Sequence, residues 1–136
     1  MELVTLTKKE FKKFADKHNQ ITFHQTEQWA NLKAKNGWSA HYVGLKDEKN
    51  VVAAALLLDK KLPIINKKMF YSPRGFLIDY NDYKVIKKFT EEIKKYAKKE
   101  NAIFKWNLHY IWWFRIFYIV GGLKADIFKI DYNIWW

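Results

Sequence analysis

Three polar side chains cluster around one short turn. Arg74 stands between Pro73 and Gly75. Proline fixes one backbone torsion and glycine frees another, so the turn is tight and specific. An arginine held there can grip a phosphate or carboxylate through parallel N–H donors, or it can pair with Asp79 or Asp82 and order the loop. Tyr71 and Asp79 flank the same turn. Asp79 can orient an amine or accept its proton. It can equally cap the helix that begins near Asp82, or hold a loop hydrogen bond. Nothing else in the chain reads as a reactive constellation. No serine–histidine–acid arrangement is legible, and His18, His24, His41 and His109 lack metal-ligand spacing with carboxylates. Gly121-Gly122 has no phosphate-loop context. The chain has no cysteine, which excludes disulfides, thiolate metal sites and a cysteine nucleophile. No metal and no cofactor is expected.

The elements that must carry these residues follow from spacing. Residues 3–6 read as a short strand. Thr7 and Glu10 form a capping box, opening a helix with Phe11, Phe14 and Ala15 on its apolar face and Asn19 as its stop. A second helix is expected from Thr26 to Asn36, ended by Gly37 as a left-handed cap. It carries Lys33, and Trp29 and Trp38 beside it are expected to pack in the core. Strands Ala40–Lys46 and Val51–Leu58 flank the polar loop Asp47-Glu48-Lys49-Asn50. The second is apolar throughout, so both its faces should be covered. A strand at Lys68–Ser72 leads into the Pro73-Arg74-Gly75 turn. A helix over Asp82–Glu100 follows, with Ile86, Phe89, Ile93, Tyr96 and Ala97 as its buried stripe and a supporting Glu91–Lys95 pair. Ala102–Phe104 begins another strand. Strands alternating with helices around a central hairpin give an α+β or α/β class, a mixed sheet with flanking helices.

Bulk properties bound the partners. A length of 136 residues allows one domain, and the formal charge of +11 comes almost wholly from lysine, with Arg74 and Arg115 the two arginines. Such a surface attracts phosphates of nucleic acid, lipid headgroups or nucleotide-linked substrates, although lysine pairs on helices are also ordinary solvated faces. The start, Met1-Glu2-Leu3-Val4-Thr5, is not a secretory signal. The longest apolar stretch, Ile111–Leu123, is interrupted by Arg115 and falls short of a membrane span. A cytoplasmic chain is expected. The tail changes texture: Trp106, Trp112, Trp113, Trp135 and Trp136 are five of the seven tryptophans, and the lysine pairs stop at Lys99. That suits a buried strand pair, an interfacial membrane segment, or sequence foreign to the rest.

Two segments carry a resemblance. One is Phe23-His24-Gln25-Thr26-Glu27-Gln28-Trp29-Ala30-Asn31-Leu32-Lys33, followed by Gly37-Trp38. The other is Met69-Phe70-Tyr71-Ser72-Pro73-Arg74-Gly75-Phe76-Leu77-Ile78-Asp79. Together they resemble the Fem aminoacyltransferases of peptidoglycan bridge formation, across residues 1–105. The resemblance implies a partial N-terminal domain similar to the N-acetyltransferase fold. It implies transfer of an amino acid from aminoacyl-tRNA to the stem-peptide amine of lipid II or of UDP-N-acetylmuramyl-pentapeptide, with peripheral contact at the inner membrane face. On that match Lys33 reaches the phosphates of the muramyl precursor, where a compact ammonium fits; an exposed helix lysine is the plain alternative. Tyr71 and Arg74 complete the substrate-binding set, and Asp79 is the one catalytic candidate. An aminoacyl ester is already activated, so holding an amine against it is mainly positioning catalysis.

After Phe104 the family pattern is lost. Residues 106–136 are read as a divergent tail, through a frameshift or truncation near Phe104–Asn107, which leaves the chain a fragment without transferase activity of its own. The other reading is a small basic protein that binds nucleic acid or an anionic membrane surface through its basic helices and aromatic tail.

Overall fold

The computed structural model describes residues 1–64 and 66–106. The tail expected to form strands or an interfacial segment, with His109, Arg115 and Gly121-Gly122, lies outside the described residues.

The elements run β1 (Glu2–Thr5), α1 (Lys8–Ala15), a 3-10 turn (Phe23–Gln25), α2 (Glu27–Ala34), β2 (Ser39–Asp47), β3 (Asn50–Leu62), β4 (Lys67–Ser72), β5 (Leu77–Ile78), α3 (Tyr83–Lys99) and β6 (Ala102–Trp106). The sheet order is β1-β2-β3-β4-β6, with β5 beside β3. Every pairing is antiparallel except β4 with β6. The mixed sheet with flanking helices is therefore as the residue pattern indicates.

Local chemistry explains the ends. The Thr7 N–H donates to Glu10 Oε2 (2.8 Å) and the Glu10 N–H to Thr7 Oγ1 (3.2 Å), so two otherwise orphaned donors are satisfied at the start of α1. That helix ends at Ala15, short of the expected stop at Asn19. Thr26 caps α2 and Asp82 caps α3 through the Val85 N–H (3.0 Å). Gly37 adopts φ +77°, and the chain reverses there with the Trp38 N–H bonded back to the Lys33 carbonyl (3.3 Å). In α3 the expected Glu91–Lys95 pair is replaced: Glu92 Oε1 takes both Lys95 Nζ (2.8 Å) and Lys88 Nζ (3.1 Å). One carboxylate between two ammoniums gains more than either single pair, though exposed pairs of this kind contribute little.

β3 is the spine. Its alternate residues feed two cores. Ala53, Ala55 and Leu57 meet Ile86, Phe89, Ile93 and Ala97 of α3. Ala54, Leu56 and Leu58 meet Phe11 and Ala15 of α1 and Ala30 of α2. An unbroken apolar strand covered on both faces is what a sheet with helices on each side requires. Trp29 and Trp38 pack against the α1–α2 core while remaining partly exposed.

Two elements escape the residue pattern. The 3-10 turn carries no periodicity, and the two-residue β5 is too short to show alternation. Both bear on the site.

Phe89 is fully buried and meets the Phe76 ring edge-on, centroids 5.0 Å apart. Phe89→Ala is expected to cost about 3–5 kcal/mol. Thermal denaturation followed by circular dichroism should show the transition lost or shifted far down; a change of only a degree or two would contradict this core.

Candidate anionic-ligand site

β3 pairs with β4 along Leu58–Leu62 and with β5 at Ala53 and Ala54. Between these ladders the chain leaves the sheet through Ser72, Pro73, Arg74 and Gly75. The edge of β3 at Leu56 is therefore without a strand partner on that side. Two side chains fill the gap. Gln25 Oε1 accepts from the Leu56 N–H (2.8 Å), and Ser72 Oγ lies 3.4 Å from the Leu56 carbonyl and 3.1 Å from that of Gly75. Gln25 Nε2 donates to the Pro73 carbonyl (2.7 Å). The turn is centred on Pro73 and Arg74, with Arg74 at φ +60°, as in a type II turn, and Gly75 follows it at φ +84°. For arginine that backbone is strained, and strain of this kind persists where the surroundings hold it.

These bonds join the two sequence segments. The 3-10 turn leads directly into α2, whose Lys33 Nζ lies 4.7 Å from the centre of the Trp29 ring. His24 meets the same indole at 4.7 Å, and the Phe23 ring, more than half exposed, meets it at 5.7 Å. The His24 imidazole is held below its ordinary pKa first by burial, then by the positive charge of Arg74, then by that of Lys33. One ring thus feels both cations. Lys33 and Arg74, far apart in sequence, share one neighbourhood.

Tyr71 and Lys60 extend this surface. Residue parity turns both toward the α1–α2 face, where Trp38 lies 6.2 Å from the Tyr71 ring and Lys60 Nζ stands 5.7 Å from the Trp38 ring. Lys33, Lys60 and Arg74 make no ion pair among the described residues. The pairing of Arg74 with Asp79 or Asp82 is not formed. Asp79 Oδ1 accepts from the Asn81 N–H (2.9 Å) and Nδ2 (3.2 Å), and its charge acts on His18. Asp82 is committed to the α3 cap. The structure therefore brings Lys33 and Arg74 together, sets Tyr71 on the same face, and engages Asp79 in the turn before α3.

Two cations around His24, and a third over the Trp38 ring on the same face, beside indole and phenol faces suit an anionic ligand with a flat or apolar portion. Gln25 and His24 were not assigned roles from sequence. A glutamine two residues after Phe23 and next to the helix-capping Thr26 is the available signal.

A second polar group lies on the α3 face. His41 Nε2 meets Asp59 Oδ2 (2.6 Å), His41 Nδ1 meets the Tyr96 hydroxyl (2.9 Å), and Lys68 Nζ meets Glu100 Oε2 (2.9 Å). Both imidazole nitrogens are occupied, so the cluster ties α3 to β2, β3 and β4. Among the described residues no His/Cys/Asp/Glu group could hold a metal ion, and no helix is long and apolar enough to cross a membrane. A depression of about 430 Å³ between Met1, Asp47 and the start of α3 belongs to this other face.

Because the Arg74 and Lys33 charges both disfavour the imidazolium of His24, removing either raises the His24 pKa. Histidine-ring NMR titration of Arg74→Ala and Lys33→Ala should show upward shifts, the larger for Arg74→Ala. An unchanged His24 titration in both would mean the two cations are elsewhere.

The FemAB family model matches residues 6–105. The aminoacyltransferase FemA of Staphylococcus epidermidis is 40% identical over 105 residues, covering 76% of this chain and 25% of the relative. The chain thus spans about a quarter of the length of the curated relatives it matches. The crystal structure of FemX superposes with a TM-score of 0.67 at 30% identity, covering 76% of this chain and 26% of that one. A ribosomal-protein-alanine N-acetyltransferase from Brucella melitensis superposes with a TM-score of 0.60 at 12% identity, covering 100% of this chain and 97% of that one, and so shares the fold. The family match takes in both the segment that bears Lys33 and the turn that bears Arg74, and the chain belongs to the FemAB family.

Proposed function

We propose that this chain forms the acceptor-binding part of an aminoacyltransferase of peptidoglycan interpeptide-bridge formation. In this reading an amino acid passes from aminoacyl-tRNA to the stem-peptide amine of a muramyl-peptide precursor, either lipid II or UDP-N-acetylmuramyl-pentapeptide. Both acceptors carry a pyrophosphate. The observation that supports the reading is the meeting of Lys33 and Arg74 around His24 with no carboxylate among the described residues paired to either cation. Arg74 offers a planar fork for two phosphate oxygens and Lys33 a movable point charge. Tyr71 lines the same surface, and Asp79 serves the loop before α3.

The chemistry asked of these residues is modest. The aminoacyl ester brings its own activation, so the protein must fix the acceptor and exclude misplacement. Residues 1–105 act as a unit with the acetyltransferase-like fold, and residues 106–136 form a divergent tail. The protein works in the cytoplasm, with peripheral contact at the inner membrane face when the acceptor is lipid-linked.

Calorimetric titration with UDP-N-acetylmuramyl-pentapeptide tests this. Saturable binding is expected, weakened about tenfold or more in Lys33→Ala, as loss of one charge-assisted contact implies. Binding should also weaken with added salt, because the cations are solvent-accessible. No binding to this nucleotide, alongside salt-steep binding to arbitrary RNA or to anionic vesicles, would sink the reading in favour of a general basic surface.

A further inference from the structure

Gln25 is 1% exposed, and its carboxamide is used at both ends. Leu56 N–H can only donate and the Pro73 carbonyl can only accept, so the partners fix the orientation of the amide. The two bonds have different consequences. The bond to Leu56 satisfies a strand amide that has no partner strand on that side. The bond to Pro73 reaches the peptide unit whose nitrogen belongs to Arg74. A peptide is planar, so holding the Pro73 carbonyl fixes the plane from which the Arg74 backbone departs. Arg74 then adopts φ +60°, a conformation that an L-residue leaves when nothing holds it. On the far side of Arg74, the Ser72 hydroxyl reaches the Gly75 carbonyl (3.1 Å). The strained residue is clamped before and after.

Gln25 also immediately follows His24 and directly precedes Thr26, which caps the helix bearing Lys33. We propose that Gln25 is a positioning residue: its bond to the Pro73 carbonyl holds the Arg74 turn against the His24–Lys33 segment, so that both cations face one anionic ligand. The proposal rests on the ligand reading of the preceding section for its functional half and on geometry alone for its structural half. Only glutamine serves both bonds at every pH. An ionised glutamate keeps an acceptor toward Leu56 but sets a carboxylate against the Pro73 carbonyl, and only its protonated form could donate there. Methionine has a similar length and satisfies neither. Asparagine is one methylene too short to span both.

The bland explanation is that Gln25 only satisfies Leu56. The Gln25→Glu variant separates the two by pH, because its protonated carboxyl can serve both bonds whereas its carboxylate keeps the Leu56 bond and loses the Pro73 bond. Arg74→Ala is introduced into the unmutated chain, into Gln25→Met and into Gln25→Glu, and the His24 pKa is measured in each by NMR. The expected result is a rise on Arg74→Ala in the unmutated chain and little or none in Gln25→Met, because Arg74 has already moved away, while Gln25→Glu places Arg74 as the unmutated chain does only where its carboxyl is protonated. An equal rise in the Gln25→Met background overturns the proposal. In parallel, the Kd for UDP-N-acetylmuramyl-pentapeptide should rise about tenfold in Gln25→Met, with Arg74→Ala adding nothing further. Additive losses overturn it as well. If the unmutated chain binds no nucleotide while the His24 increments behave as expected, the ligand reading falls and the placement of Arg74 by Gln25 stands. A measurement without Gln25 variants covers the case in which neither folds: the Gln25 Nε2 protons should exchange slowly with solvent, and fast exchange overturns the proposal.

Discussion

The middle of β3 carries a backbone amide that neither neighbouring strand on its β4 side reaches. β4 pairs with β3 only as far as Tyr71 opposite Leu58, and β5 joins only at Leu77. A buried N–H left without an acceptor costs about 1–3 kcal/mol, a sizeable part of the stability of a domain this small. A side chain must fill the gap, and the side chain that does so comes from the 3-10 turn ahead of α2. That choice draws the Phe23–Lys33 segment to the exit point of the Pro73–Gly75 turn. The neighbourhood of Lys33 and Arg74 is a by-product of satisfying Leu56, and the rest of the candidate site follows from it.

The alternation of β3 from Ala53 onward, past a bulge at Val52, then divides the molecule's polar chemistry. Asp59 projects to the α3 face, where it meets His41, and Lys60 projects to the opposite face beside Trp38. The first group is internally neutralised and ties elements together. The second has cations that make no ion pair among the described residues and stand over partly exposed indole rings. The same sheet thus keeps its cohesive charges on one side and its receptive ones on the other. A shift of one residue in the β3 register would exchange them.

Much of this was legible from residues alone. The capping box at Thr7, the glycine cap at Gly37, the hairpin around Glu48 and the long amphipathic α3 each rest on local rules, and local rules act within a few residues. The two segments that carry the candidate site were also visible as segments. What joins them was not. Gln25 and Pro73 are 48 residues apart, and nothing in the spacing of either announces the bond. The Glu92 pairing displaced the expected Glu91–Lys95 pair because rotamers choose among near-equal neighbours on a helix surface. The likeness of Asp79 to a catalytic carboxylate was weighed against a loop role, and the structure engages it with Asn81. The His41–Asp59–Tyr96 contacts draw on three elements, so no motif could carry them.

Arg74 occupies a backbone conformation that glycine would fill without strain. Ordinary sequence drift that favours robustness therefore pulls this position toward glycine, a residue with no charge to offer. In the proposed function, the guanidinium's grip on a ligand is what offsets the strain of placing an arginine there. The position is a balance between two selective pressures of opposite direction. In a lineage where the ligand ceased to matter, it would be among the first of the turn residues to relax.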